Sequence, residues 1–315
     1  MIHKKNQDPS HIANRHPITL ANTDLKLIST TLSTRIQTYA PNLIHPDQAG
    51  FMKGRHIYDT ILDLNTLLNS SNSPPQSFIL SLDWSKAYNR VSHHWLDHVL
   101  EQISFPRPFR RLLHATYHHR HSQLSINGLL GPSFPISKGV PQGDPVAPVL
   151  FNLSIEPLFN ALRSARLWVR AYADDTYAIR FDEHAWQPLH YWLIQYNLAA
   201  SGEVHWGKTK LIPLSPSTYS PPPNTPPPST LPLSTLGVLL PLSRANIDTL
   251  WDSLTIKLSS RVDSLFTQSL SLRGRILIAK SLVLSKVWYH SVVAPPSAAH
   301  IKQVNALLRK LVWHN

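Results

Sequence analysis

Residues 168–181 read WVRAYADDTYAIRF and place two acids, Asp174 and Asp175, between two short runs of strand-forming residues. Apolar, aromatic and β-branched residues dominate both runs, at 168–173 and 176–181. Two such runs separated by a short polar break predict a β-hairpin with both carboxylates at its tip. An Asp-Asp pair is also common turn chemistry, so the pair alone does not establish a function.

A third acid, Asp83, follows the apolar run of residues 78–82, which predicts a buried strand ending at this residue. If this strand and the hairpin share one sheet, three carboxylates converge. Two like charges ~4 Å apart repel by about 4 kcal/mol at an effective dielectric constant of 20, so such a cluster needs a cation. Oxygen ligands suit Mg²⁺, and a pair of such ions can activate a 3′-hydroxyl and stabilise a leaving pyrophosphate. The order of strand with acid, Gly-rich loop, helix and acid-bearing hairpin favours catalysis over a simple turn.

The composition favours a globular protein with a polyanionic partner. The chain has 315 residues, of which 42% are hydrophobic, and a formal charge of +12. Nucleic acid is the first candidate partner and an anionic membrane the second. No stretch approaches the roughly 20 apolar residues of a spanning helix, and residues 1–14 lack the apolar core of a signal peptide, so we expect no membrane partner. The absence of cysteine excludes disulfides and thiolate metal sites, and it fits an intracellular protein.

Helical spacing and proline content divide the rest of the chain. Apolar periodicity predicts helices at 22–40, ending at Pro41, at 57–68, at 92–117 with a proline interruption, and after Pro145. Residues 213–232 hold nine of the 27 prolines, which predicts an extended loop. Residues 244–315 show three helical patterns and contain ten Lys and Arg against three Asp. More than half of the excess charge therefore lies in this last segment.

Several motifs resemble those of reverse transcriptases, in particular those of non-LTR (LINE-like) retrotransposons. Residues 81–91 (SLDWSKAYNRV) resemble the motif with the first catalytic Asp. Residues 139–148 (GVPQGDPVAP) resemble the motif that positions nucleotide and template, and YADD at 172–175 resembles the catalytic box. Further similarities, in the expected order, are two finger motifs, PITLANTD at 17–24 and QAGFMKGR at 48–55, and later palm motifs, SG at 201–202, WGK at 206–208 and LG at 236–237.

The resemblance implies an α+β, right-hand polymerase fold. Fingers would span residues 1–76, the palm 77–240 with a small antiparallel sheet and the Pro-rich loop 213–232, and a helical thumb 241–315. The reaction would be RNA-directed DNA synthesis from an RNA template, a DNA primer and deoxynucleoside triphosphates. Two Mg²⁺ ions, with Mn²⁺ as an alternative, would be the cofactors. Nuclear action is expected from the family, and the oligomeric state stays open.

The resemblance also implies roles for single residues. Asp83, Asp174 and Asp175 would hold the metals, and Lys208 would approach the triphosphate and donate a proton to pyrophosphate. The nucleotide-binding residues would be Tyr88 as a steric gate against the 2′-hydroxyl, Gln142 and Gly143 in the loop, and Arg55 as a phosphate ligand. Arg273, Arg275 and Lys280 in the basic last segment would bind nucleic acid through its backbone. Taken singly, a core tyrosine, a solvated glutamine and ordinary surface Lys and Arg side chains remain alternatives.

Departures from the family pattern keep other functions open. His16 precedes Pro17 where the family usually has Arg, and Asn89 stands where an Asp is usual. We also expect a chain truncated at both ends, because it starts within a finger motif and shows no endonuclease domain or Cys/His-rich tail. One alternative is therefore an inactive remnant that only binds nucleic acid. Another is an intron maturase or an RNA-templated RNA polymerase with the same palm.

Overall fold

A small antiparallel sheet joins the two acid-bearing segments of the chain. The structure is a computed structural model that describes residues 2–3, 15–16, 19–70, 73–74, 76–117, 120–181, 186–215, 219–221, 225–266 and 270–313. The elements are β1 (Ile2–His3), β2 (Arg15–His16), α1 (Thr23–Leu43), α2 (Ile57–Leu68), β3 (Phe78–Leu82), α3 (Ala87–Arg90), α4 (His93–Gln102), α5 (Arg107–Tyr117), β4 (Arg120–Ile126), β5 (Leu129–Ile136), α6 (Ala147–Ser164), β6 (Trp168–Tyr172), β7 (Asp175–Arg180), α7 (Trp186–Ala200), β8 (Lys210–Pro213), β9 (Leu233–Thr235), β10 (Val238–Leu240), α8 (Arg244–Phe266), α9 (Leu272–Ile278), a π-helical segment (Ala279–Leu284), α10 (Ser285–Val293) and α11 (Ala298–Trp313).

The chain divides into two compact units, the first formed by residues 1–56 and 73–229. Its central sheet has the strand order β6-β7-β3-β8, and every neighbouring pair is antiparallel. Helix α6 is buried along most of its length and contacts α1, α4, α7 and β6. A helix that is apolar on nearly all sides belongs in a core, and α6 accordingly forms the centre of this unit.

The predicted elements of this unit are confirmed with two local corrections. Pro41 lies inside the last turn of α1 and does not end the helix. At this end of the helix the guanidinium of Arg55 donates to the carbonyl oxygens of Pro41 and Ile44. The hairpin turn consists of Ala173 and Asp174, whereas Asp175 begins β7 and pairs with Tyr172. The two acids therefore occupy different positions, one in the turn and one in a strand.

The second unit is formed by residues 57–72 and 230–315 and has its own apolar core. Trp251 of α8 is fully buried, donates its indole N–H to the carbonyl of Ala294 at 2.8 Å and stacks on His300. The three predicted helical patterns are confirmed as α8, the continuous run from α9 to α10, and α11. The boundaries of fingers, palm and thumb stay predictions.

One helix of the second unit is longer than the sequence pattern indicated. The run Leu272–Val293 has 22 residues and a mean hydropathy of 1.3 in its most apolar window, which is enough to cross a membrane by length and composition. The expectation that no stretch is apolar enough to span a membrane was wrong, because mean hydropathy stays high in this run although it contains charged side chains. Ala279 and Val283 of this helix are buried in the core of the unit, but only 17% of its most apolar window is buried in the structure.

Candidate active site

Three acids lie at one end of the central sheet, where β3 ends and where the β6–β7 turn leads into β7. Leu82, the last residue of β3, pairs with Thr176 of β7. Asp83 follows Leu82 and Asp175 precedes Thr176, so the two acids flank this paired position at the same end of the sheet. Asp174 precedes Asp175 in the β6–β7 turn. Strand pairing thus brings Asp83 to the same end of the sheet as the Asp174-Asp175 pair, which lies far from it in the sequence.

Surrounding protein atoms and mutual repulsion raise the pKa of two of these carboxyls. Burial raises the pKa of Asp174; its own backbone N–H counteracts this in part, and the charge of Asp83 adds to the rise. Burial, followed by the charges of Asp174 and Asp83, raises the pKa of Asp175 to about 6. Both acids nevertheless retain solvent-exposed surface. A bound cation would stabilise the charged forms at this edge of the sheet.

Lys208 is the cation closest to these acids among the contacts of the described residues. Its Nζ atom lies 4.0 Å from Oδ2 of Asp83, and the two side chains are 53% and 44% exposed. The backbone fixes this turn, because the N–H of His205 donates to the carbonyl of Asp83 at 2.7 Å. The N–H of Asp83 in turn donates to Oγ1 of Thr209 at 3.3 Å. At this exposure the ion pair is weak, so the ammonium can transfer to an anionic substrate.

Tyr88 is near enough to Asp174 to feel its charge, and its ring packs against Phe151. The ring stacks on Phe151 with centroids 4.7 Å apart and is 8% exposed. Burial and then the charge of Asp174 raise the pKa of Tyr88 far above its ordinary value, so the hydroxyl stays protonated. That hydroxyl has no hydrogen-bond partner among the described residues. The structure therefore gives the hydroxyl of Tyr88 no bonding role among the described residues, and the predicted steric-gate role of the ring stays a prediction.

The glycine-rich loop is joined to Tyr88 by its backbone. The N–H of Val140 donates to the carbonyl of Tyr88 at 2.8 Å, and the N–H of Thr19 donates to the carbonyl of Gln142 at 3.2 Å. The side chain of Gln142 is exposed. Gly143 has a φ of +105°, and a Cβ added there would lie 3.0 Å from the carbonyl oxygen of Thr19. Only glycine adopts this backbone easily, which explains the residue without assigning it a nucleotide contact.

Arg55 is engaged with the backbone of its own segment. Its guanidinium donates to the carbonyl oxygens of His45 at 2.6 Å, Gln48 at 2.7 Å, Ile44 at 2.7 Å and Pro41 at 3.4 Å. These bonds satisfy carbonyls at the end of α1 and in the loop that follows it. The geometry favours a structural role, and the predicted phosphate contact of Arg55 has no support in it.

Replacing Arg55 with Met should destabilise the fold by about 2–4 kcal/mol, because several carbonyls lose a charged donor at once. In the folded fraction we expect the KM for deoxynucleotides to stay within about twofold. Chemical denaturation and steady-state kinetics measure the two effects. Arg35→Met, at an exposed position of α1, serves as the control. A stable Arg55→Met variant with a strongly raised KM would instead establish a phosphate contact.

The predicted nucleic-acid-binding residues lie in the second unit and differ in their surroundings. Arg273 and Lys280 are exposed. Arg275 donates to the carbonyl of Leu270 at 3.0 Å and to that of Val312 at 3.1 Å, which ties the start of α9 to the end of α11. Arg273 and Lys280 are thus accessible to solvent, whereas the guanidinium of Arg275 bonds two backbone carbonyls; the predicted nucleic-acid contacts stay predictions.

The two departures from the family pattern, at Asn89 and His16, have different structural surroundings. Gly139 has a φ of +95°, and an added Cβ would lie 2.7 Å from the carbonyl oxygen of Asn89. This contact uses the backbone of Asn89, so replacement of the usual Asp leaves it intact. His16 lies in β2 opposite Ile2, and residues 17–18 of the predicted finger motif lie outside the described residues.

The donor set at the sheet edge fits a divalent cation by its chemistry. It offers only carboxylate oxygens, and the pKa shifts show that their charges repel one another. Over the described ranges, no group of three or more His, Cys, Asp and Glu side chains is arranged so that it could hold a metal ion. The assignment of Asp83, Asp174 and Asp175 as metal ligands therefore stays a prediction, based on the chemistry of their oxygens.

Comparison with protein families decides the identity of the chain. The family model described as "Reverse transcriptase (RNA-dependent DNA polymerase)" matches residues 2–238, which is most of the chain and includes all three acids. The chain belongs to the reverse transcriptase family. The resemblance inferred from the sequence motifs is confirmed, and the members of this family use divalent metal ions.

Relatives of this reverse transcriptase domain come from retrotransposons. It is 28% identical over 326 residues to the transposon TX1 uncharacterized 149 kDa protein of Xenopus laevis, covering 98% of the chain and 25% of that protein. It is 31% identical over 150 residues to the Pol polyprotein of the type-2 retrotransposable element R2DM of Drosophila melanogaster, covering 47% of the chain and 14% of that protein. The chain thus spans a quarter or less of the length of these two relatives.

A solved structure supports the predicted fold class. The structure of telomerase from Candida albicans, in complex with a fragment of telomeric RNA, aligns with a TM-score of 0.51 at 11% identity, over 91% of the chain and 56% of the telomerase chain. Together with the mixed helices and small antiparallel sheets, this likeness confirms the α+β, right-hand polymerase fold.

Three residues that bond the β6–β7 turn, or the segment packed against it, were not predicted as site residues. Gln48, Gly50 and Asn152 form hydrogen bonds around Ala173 or beside it. All three lie within or next to motifs quoted above, and a buried polar residue in a motif was the available signal.

Proposed function

We propose that the chain is the catalytic core of an RNA-directed DNA polymerase that works by two-metal phosphoryl transfer. The observation that carries this proposal is the pairing of β3 with β7, which puts Asp83, Asp174 and Asp175 at one sheet edge with Lys208 alongside. Family membership supports the reaction class. The RNA template, the DNA primer, the deoxynucleotides and nuclear action in the parent retrotransposon protein are parts of the proposal.

The proposed metal ligands are the three acids. Bound Mg²⁺ ions would supply Lewis-acid activation of the primer 3′-hydroxyl and neutralise charge on the leaving pyrophosphate. Asp83 and Asp175, on neighbouring strands, would hold fixed positions, and Asp174 would contribute from the turn. No histidine or cysteine is required, and the carboxylate set favours hard cations.

The remaining residues would bind and orient the substrates. Lys208 would leave Asp83 to contact the triphosphate and can donate a proton from Nζ to the departing pyrophosphate. Tyr88 would exclude a 2′-hydroxyl with its phenol ring, which Phe151 holds in place. Gln142, exposed on a loop whose backbone is bonded to Thr19, would contact the nucleotide and the template base.

Primer extension tests the proposal directly. The purified chain is given an RNA template, a DNA primer, Mg²⁺ and deoxynucleotides, beside a double Asp174→Asn, Asp175→Asn variant. Incorporation that is absent from the variant supports a reverse transcriptase. No incorporation together with retained template–primer binding would favour the remnant that only binds nucleic acid. A preference for ribonucleotides would favour an RNA polymerase.

Template–primer affinity should fall steeply with salt, because the excess of positive charge would bind phosphates and release counterions. Between 50 and 200 mM salt we expect a loss of about 10²–10⁴-fold in affinity, measured by fluorescence anisotropy. An Arg273→Gln, Lys280→Gln double variant should reduce the logarithmic salt slope by about two. An unchanged slope would remove these two residues from the proposed interface.

A further inference from the structure

A short segment at the start of the motif of residues 48–55 lies along β6, the outer strand on one side of the central sheet. The N–H of Ala49 donates to the carbonyl of Ala171 at 2.8 Å, and the N–H of Ala171 donates to the carbonyl of Asp47 at 2.9 Å. Gln48 forms a parallel bridge with Ala171 in β6. Residues 47–50 thus extend the sheet on the side of β6 and run toward the β6–β7 turn.

Gln48 reaches from this segment to the residue just before the first turn acid. Its side chain is fully buried. Oε1 accepts from the N–H of Ala173 at 2.8 Å, and Nε2 donates to the carbonyl of Ala173 at 3.1 Å. The same Oε1 accepts from the N–H of Gly50 at 2.9 Å. One amide therefore binds both backbone groups of Ala173.

Ala173 needs such support because its backbone is in an unfavourable conformation. Its φ is +56°, in the left-handed region that side chains other than glycine rarely adopt. A strained conformation persists only where its surroundings fix it. Asp174 follows directly, so the conformation of Ala173 sets the direction in which the chain presents that carboxylate.

Gly50 lies so close to the backbone of Ala173 that the β6–β7 turn has no room to move toward residues 47–50. A Cβ added at Gly50 would lie 2.1 Å from the backbone nitrogen of Ala173. Nδ2 of Asn152, on the central helix α6, donates to the carbonyl of Gly50 at 2.6 Å. The segment is thereby anchored to the core, and the turn rests on a rigid support.

We propose that Gln48 is a positioning residue for polymerisation, which holds Ala173 and thereby sets where Asp174 and Asp175 stand. This inference rests on the proposed function for its catalytic consequence. Its structural part, that Gln48 fixes the turn, holds independently of activity. Nothing in the contacts of Gln48 brings it to a substrate or to a reacting atom, so its effect passes through the turn.

Gln48→Met tests the proposal, because Met fills nearly the same volume and forms neither hydrogen bond to Ala173. Gln37→Met is the matched control. Gln37 bonds the same segment, to the carbonyl of Phe51 at 2.7 Å and the N–H of Lys53 at 3.4 Å, and these contacts do not include the turn.

In Gln48→Met we expect kcat to fall by roughly 10–100-fold, because small misplacements of catalytic groups cost this much. The KM for deoxynucleotides and the Kd for template–primer should stay within about twofold. The Mg²⁺ concentration for half-maximal rate should rise. Gln37→Met should change none of these values by more than about twofold.

Hydrogen–deuterium exchange gives a readout that does not depend on activity. The amides of residues 172–176 should exchange faster in Gln48→Met than in the wild type and in Gln37→Met. If the wild type does not polymerise, the proposed function fails, but hydrogen–deuterium exchange still tests whether Gln48 fixes the β6–β7 turn. Unchanged exchange, an unchanged kcat, or a fall in kcat that only follows the folded fraction in a thermal melt would each overturn the proposal.

Discussion

Asp174→Asn should reduce RNA-templated primer extension by about 10³-fold or more. Asn has the shape of Asp but lacks its anionic oxygens, so the electrostatic stabilisation of a phosphoryl-transfer transition state is lost. The variant should fold, because the change removes one member of a repelling group. Thermal unfolding should occur at an equal or higher temperature than in the wild type, since the charge of Asp174 raises the pKa of Asp175. Single-turnover extension at saturating template–primer measures the catalytic loss.

The matched control for this variant is Asp248→Asn. Asp248 pairs with Arg244 one turn away on α8 at 3.1 Å, and both side chains are largely exposed. Removal of such a pair costs about 0.2–1 kcal/mol and should leave extension unchanged. Substantial synthesis by Asp174→Asn, within about tenfold of the wild type, would sink the assignment of Asp174 as a metal ligand.

Tyr88→Ala should increase the use of ribonucleotides relative to deoxynucleotides by roughly 10–100-fold, as expected when about 1.4–3 kcal/mol of steric discrimination is lost. The charge of Asp174 acts on the Tyr88 hydroxyl, and the ring stacks on Phe151, so the proposed gate has a fixed neighbour on one face. Competition between a ribonucleotide and the matching deoxynucleotide at one template position measures the selectivity as a ratio of kcat/KM values.

Tyr88→Phe separates the bulk of the ring from its hydroxyl. The hydroxyl is buried without a hydrogen-bond partner among the described residues, so its removal should be neutral or slightly stabilising. We therefore expect Tyr88→Phe to keep the selectivity of the wild type. If Tyr88→Ala shows the same selectivity as Tyr88→Phe, the steric-gate assignment is wrong.

The sequence was sufficient for features that follow from short patterns. The strand before Asp83, helix α2 and the two runs that became β6 and β7 were predicted because apolar spacing reports burial directly. The family resemblance then supplied the fold class. The exact turn was less predictable, since the choice between Ala173-Asp174 and Asp174-Asp175 depends on pairing of Tyr172 with Asp175.

Other features depend on contacts between distant segments. Gln48 looked like one residue of a finger motif, and its partner Ala173 lies 125 positions away. The β4–β5 hairpin was missed because its strands are largely exposed and lack a clear apolar alternation. Its turn residues Asn127 and Gly128, both with positive φ, carry the hairpin signal that was available in the sequence. The π-helical segment has no such signal.

The topology of the central sheet has a consequence for protein synthesis. Strand β3 lies between β7 and β8, and both of these partners follow it in the chain. Leu82 pairs with Thr176, about a hundred positions later, so at 5–20 residues per second a ribosome needs roughly 5–20 s to deliver the partner of β3. During that interval the apolar strand Phe78–Leu82 has two unpaired edges, the state in which strands associate wrongly. The same pairing that assembles the acids therefore leaves β3 open to wrong association until its partner strands have been synthesised.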